Sequence, residues 1–204
     1  MNERAAAIQD IDQPNSGPHS MWDEIDGPGS QEPRSDDQFA EQTPSIPMMA
    51  KLAASHFLVL LLAFTLWAAA DTWLIVTGLG LASILAVVTG AIAGLVANTV
   101  IHEWSHFAGA RLAGATWEVP KKLGVFVFDF KYEQNDLRQF YTMSWGGQLG
   151  SVATLLALLI AVPLDNPGRV MLFSAAAGGA VFGAMIEWPV LRRTRDSGDP
   201  FAEL

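Results

Sequence analysis

The chain has 204 residues, half of them hydrophobic and only 16% charged, with a formal net charge of −9. A soluble domain is about a quarter charged, so an ordinary water-soluble globule is a poor fit, and with no cysteine the chain has neither disulfides nor thiolate metal ligands. The acidic excess is local: residues 1–50 carry ten acidic and two basic side chains, whereas residues 51–204 carry eleven and ten. No nucleic-acid partner is expected from this charge balance.

Residues 1–47 are rich in Asp, Glu, Gln, Ser, Pro and Gly. Such a segment cannot bury enough apolar area to offset its ordering entropy, so residues 1–50 are expected to form a disordered acidic tail. A partner-binding segment around Met21, Trp22 and Ile25 is the alternative. Residues 1–20 hold no apolar core of the kind a secretory signal needs.

The first expected span is 52–70, "LAASHFLVLLLAFTLWAAA", close to the ~20 residues that cross a bilayer. Asp71 and Trp73 read as its outer interface. A long apolar run from Leu74 to Leu112 is broken by Gly78 and Gly80, which suggests a helix over 82–112 and an interfacial or re-entrant piece over 72–81. Between this helix and the next, "VFVFDFKY", 125–132, is β-branched and aromatic and reads as a strand, either a hairpin arm or a free edge. A third span is expected over 143–162, a turn at "LDNPG", 164–168, and a fourth span over 170–190. The fold class is therefore an all-α integral membrane protein with about four transmembrane helices, a small cytoplasmic β element and a disordered tail. The membrane domain covers 51–195 and a short C-terminal tail covers 196–204.

Basic residues set the orientation. Lys51 precedes the first span, Lys121, Lys122, Lys131 and Arg138 lie between the second and third, and Arg192, Arg193 and Arg195 follow the fourth. Four spans put all of these on one side, so both termini are expected in the cytoplasm of a cell-membrane, multi-pass protein.

The second helix carries "HEWSH", 102–106. On a helix, positions i and i+4 share a face, so His102 and His106 can ligate one ion. Glu103 is turned by about 100° from His102, beside the metal, where it can act as general base on metal-bound water. Charges at this depth cost about 2.5–3.5 kcal/mol each on insertion scales and are functional by default. Zn2+ is the expected cofactor. Asn98, at i−4 from His102, shares that face and could hydrogen-bond a ligand, or serve only helix packing.

A catalytic zinc usually takes three protein ligands. His19 lies in the tail and His56 at the start of the first span, both remote from the motif. Asp71 and Asp165 belong to the outer face. Glu187 sits five residues before Arg192, as His106 sits five before Arg111, on a helix running the same way. Its depth therefore matches the histidines, making it the expected third ligand, with a Glu reaching to the interface as the plainer reading. Asp196 and Asp199 are alternatives if "RDSGDP" folds back.

These features resemble the site-2 protease family of intramembrane zinc metalloproteases. "HEWSHFAGARLAGA", 102–115, is similar to the family's zinc-motif helix, the piece around 123–132 to the short β element that follows, and "SWGGQLGSVATLLALL", 144–159, to the Gly-rich start of its next core helix. The family usually takes its third ligand from an Asp in a "DG" motif. Here "IEWP", 186–189, offers Glu instead. The resemblance implies hydrolysis of peptide bonds in transmembrane protein substrates within or beside the lipid bilayer. A substrate segment would be held extended along the edge strand, with Val125, Val127 and Phe128 as substrate-binding residues. Two other readings stand beside this one: a membrane-anchored zincin of the prenyl-protein or heat-shock protease type, and a non-catalytic metal-binding membrane protein acting in regulation or interaction.

Overall fold

The computed structural model describes residues 46–198. Residues 1–45 of the expected tail, with His19, and the alternative ligand Asp199 lie outside them; residues 46–50, expected in that tail, instead form the first turn of a helix. Four long helices dominate: α1 (Ile46–Thr77), α2 (Gly80–Leu112), α3 (Leu137–Ala161) and α4 (Pro167–Ser197). Each is long and apolar enough to cross a membrane, with a mean hydropathy of 2.0, 2.2, 1.4 and 1.6 in chain order. This is consistent with a multi-pass membrane protein.

The packing is inverted relative to a soluble bundle. Large side chains such as Phe57, Leu62, Ile84, Ile92 and Phe182 face outward, while Ala82, Ala86, Ala93 and Ala97 of α2 are buried. In a bilayer, whose lipid is as apolar as leucine, large residues would gain nothing by turning inward, and small ones let backbones approach. A Cβ at Gly94 would fall 2.1 Å from the Leu172 carbonyl oxygen of α4, so α2 and α4 touch backbone to backbone there. Gly146 of α3 meets the Ser105 carbonyl of α2 in the same way, and Gly150 makes room for the Ser105 side chain. The central helix is α2, packed on the other three, whereas α1 meets α4 only slightly.

Several element boundaries differ from the sequence expectation. No separate interfacial piece occupies 72–81. Helix α1 continues to Thr77, and the chain reverses at Gly78 and Leu79 alone, Gly78 taking a φ of +64° that favours glycine. Pro167 and Gly168 do not end a helix. They open α4, because Pro lacks only an N–H that the first turn leaves unpaired anyway, and Asn166 caps it by accepting from Arg169 N at 3.0 Å. Helix α3 starts at Leu137, earlier than expected, because Asp136 and Gln139 cap each other's backbone reciprocally.

Asp71 is no simple surface group. It is 6% exposed, and Arg169 donates to it at 2.8 and 3.0 Å while Asn166 donates at 2.8 Å. This cluster ties α1 to the α3–α4 turn.

The expected strand over 125–132 shrinks to two residues. β2 (Asp129–Phe130) pairs antiparallel with β1 (Trp117–Glu118), a strand not foreseen. The register sets Trp117 opposite Phe130 and Glu118 opposite Asp129. Continuing it would bring Pro120 opposite Val127, and Pro has no N–H to extend the ladder. A Lys131–Glu118 ion pair of 2.7 Å flanks the sheet. Glu118 and its neighbours hold the Lys131 ammonium above its ordinary pKa.

Candidate metal centre

His102 and His106 stand one turn apart on α2, and Glu187 reaches them from α4. Glu187 Oε1 lies 2.7 Å from His102 Nε2 and 3.2 Å from His106 Nε2, and the two Nε2 atoms are 2.9 Å apart. The three residues form a group that could hold a metal ion. Ligand atoms on one tetrahedral ion at zinc's usual ~2.0–2.1 Å stand about 3.3 Å apart, so the triangle accepts such an ion once its short edges open by about half an ångström.

The remaining ring nitrogens favour the same use. His106 Nδ1 is 2.9 Å from the Met143 carbonyl oxygen, which can only accept. The proton therefore sits on Nδ1, and in the neutral ring Nε2 presents its lone pair to the triangle. His102 Nδ1 is 2.9 Å from Ser151 Oγ, which can accept in the same way. With both rings so oriented, three acceptors converge, and a cation between them removes their mutual repulsion.

Glu187 is held as well. Gln148 Nε2 donates to its Oε2 at 2.9 Å, fixing the carboxylate from the side opposite the histidines. Gly147 makes room for His106: a Cβ there would fall 2.2 Å from His106 Nε2. These roles of Gln148, Gly147 and Ser151 were not foreseen. The polar run in "SWGGQLGS" within an apolar span was the available signal.

A cleft of about 480 Å³ opens over the group. His106, Glu187 and Glu103 line it, with apolar walls that include Phe128, Phe130, Met143 and Val190. Half-buried Glu103 makes no hydrogen bond or ion pair among the described residues and lines the cleft with His106 and Glu187. Tyr132 also lines the cleft; burial first, then the Glu187 charge, hold its phenol above the ordinary pKa, so it stays an O–H donor.

The other expected residues fall elsewhere. Asn98 is 3% exposed, but it makes no hydrogen bond to either histidine, and its Oδ1 has no partner among the described residues. It packs against Gly179 of α4 instead. Of the three expected substrate-binding residues, Phe128 lines the cleft, Val127 is fully buried and Val125 is 53% exposed outside it. Asp196 is exposed and paired with Arg195 at 3.1 Å, away from the group. His56 is not remote from the motif helix: Trp104 Nε1, inside "HEWSH", donates to its Nδ1 at 3.0 Å. No family model, curated protein or solved structure matches the chain.

Proposed function

We propose that the chain is an integral-membrane zinc metalloendopeptidase, similar in design to the site-2 proteases, that hydrolyses peptide bonds of membrane-protein substrates. The observation that carries this reading is the His102–His106–Glu187 triangle with an uncommitted carboxylate, Glu103, beside it on an apolar-walled cleft. Zinc bound by the triangle would acidify a water molecule and polarise a scissile carbonyl. Glu103 is placed to accept a proton from such a water and to return it to a departing amine. Met143 O and Ser151 Oγ hold the two imidazoles in the ligating orientation, and Gln148 holds Glu187.

The cleft walls suit a peptide unwound from a transmembrane helix. Asp129 and Phe130 of β2 line the cleft, and the edge of β2 away from β1 is unpaired among the described residues. An extended substrate segment would add there through backbone hydrogen bonds.

The charge distribution supports a cytoplasmic site. Every Lys and Arg of residues 51–204 except Arg169 belongs to the end of the bundle that holds the α2–α3 connection. Arg169, at the far end, is neutralised by Asp71 and Asp165.

The test is a set of variants reconstituted in vesicles with a panel of single-span membrane proteins. Zinc per chain is measured by elemental analysis and cleavage by mass spectrometry. His102→Ala and Glu187→Ala are expected to lose zinc and cleavage together, and Glu103→Gln to keep zinc and lose cleavage. Stoichiometric zinc with function unimpaired in Glu103→Gln would instead make the chain a non-catalytic metal-binding membrane protein.

A further inference from the structure

The loop over 119–128, between β1 and β2, supplies Phe126 and Phe128 to the cleft wall. A loop of this length over a site needs something to hold it. Outside the short ladder at its ends, it makes a single hydrogen bond among the described residues: the Gly124 carbonyl accepts from His56 Nε2 at 2.9 Å. Its other anchors are apolar, the buried Val127 and the contact of Phe128 with Phe107, ring centres 5.6 Å apart. The acceptor at Gly124 requires the proton on His56 Nε2, and the Trp104 indole N–H requires a lone pair on Nδ1. One neutral imidazole from α1, 7% exposed, therefore joins the cleft loop to the turn of α2 that carries Glu103.

We propose that His56 is a positioning residue that fastens the 119–128 loop to the motif helix and so sets access to the cleft above His102, His106 and Glu187. The inference rests on the reading of that cleft as the place where substrate meets the site. Losing the bond leaves Gly124 without a hydrogen bond to the bundle among the described residues. Leu123, Val125 and Phe126 already face outward, 55%, 53% and 68% exposed, so little resists displacement of this part of the loop.

The absence of cysteine gives a direct test. Ser144 lines the cleft and is 6% exposed, so Ser144→Cys supplies a single buried thiol in the 204-residue chain. Its reaction rate with a charged methanethiosulfonate reports opening of the cleft and needs neither metal nor substrate. His56→Leu is expected to raise that rate about three- to tenfold, the factor by which loss of one intramolecular hydrogen bond shifts an opening equilibrium. His56→Gln, whose carboxamide can still donate to Gly124, should bring the rate back towards that of the parent. That rescue distinguishes the tether from a general need for bulk at the position. Should His56→Leu fail to fold, His56→Phe refills the ring's volume without either hydrogen bond and carries the same expectation. An unchanged rate in the folded variant, or equal acceleration by Leu and Gln, overturns the proposal. Zinc content of the same preparations is read separately: a protein without zinc would sink the metal centre while the thiol rates still decide the tether.

Discussion

The most discriminating perturbation of the proposed zinc centre is the addition of one methyl group. Gly147 lies where α3 crosses His106, and a Cβ built on it falls 2.2 Å from Nε2, 2.3 Å from Cε1 and 2.7 Å from Cδ2 of that ring. Ordinary contacts begin near 3.4 Å, so Gly147→Ala must push the ring by roughly an ångström in an interior packed as densely as a crystal. The ring has little freedom to yield, because its Nδ1 is bonded to Met143 O on the same helix as Gly147. The atom struck hardest is the one facing Glu187 and His102. Disturbing groups that merely orient a ligand costs 10–100-fold in metal affinity, so moving the ligand atom should reach at least about 100-fold, or ~2.7 kcal/mol. Overpacking would also lower the stability of the metal-free protein by about 1–3 kcal/mol. Gly178→Ala is the control, since nothing lies within 4 Å of a Cβ there. Competition of zinc against a fluorescent chelator in detergent micelles measures the affinity, and circular dichroism checks the helices. Gly147→Ala binding zinc within threefold of the parent would refute the assignment of His106 Nε2 as a ligand atom.

Gln148→Leu, which removes the donor to Glu187 Oε2, should weaken zinc about 10–100-fold in the same titration with helix content unchanged. Asp71→Ala strips Arg169 of its buried partner but leaves the exposed Asp165; it is expected to cost about 3 kcal/mol, seen as a lower midpoint of denaturant unfolding in micelles. Asn98→Leu replaces a buried amide whose Oδ1 has no partner among the described residues, so the same unfolding assay should show unchanged stability or a gain of ~1 kcal/mol.

The four helices were legible because lipid imposes a length and an apolarity that composition alone reveals. Their ends were less legible, since Asp136–Gln139 and Asn166 set boundaries by capping rather than by hydropathy. Glu187 could be matched to the histidines because parallel helices share a depth scale, and counting back from the flanking arginines gives a register that no motif supplies. The strand was overextended for a different reason. "VFVF" has the side chains of a strand, but a ladder also needs a partner, and Pro120 withholds the N–H that the partner would contribute. Gln148, Ser151 and Gly147 stayed hidden because each acts on a residue at least 39 positions away in the chain, or across a gap that only the helix crossing creates.

The three described histidines show what separates an imidazole that could bind a metal from a structural one in the same apolar bundle. His56 spends both nitrogens on the protein, one accepting from Trp104 and one donating to Gly124. Nothing is left for an ion, and the ring serves as a neutral link between elements. His102 and His106 each spend one nitrogen, on Ser151 and Met143, and turn the other toward Glu187. Sequence places all three near one end of membrane helices and makes them equally expensive to bury. What differs is the number of lone pairs remaining after the protein's own donors and acceptors are counted. By that count the pair on α2 and Glu187 bring spare acceptors together at one cleft, and Glu103, without a hydrogen bond or ion pair among the described residues, stands beside them.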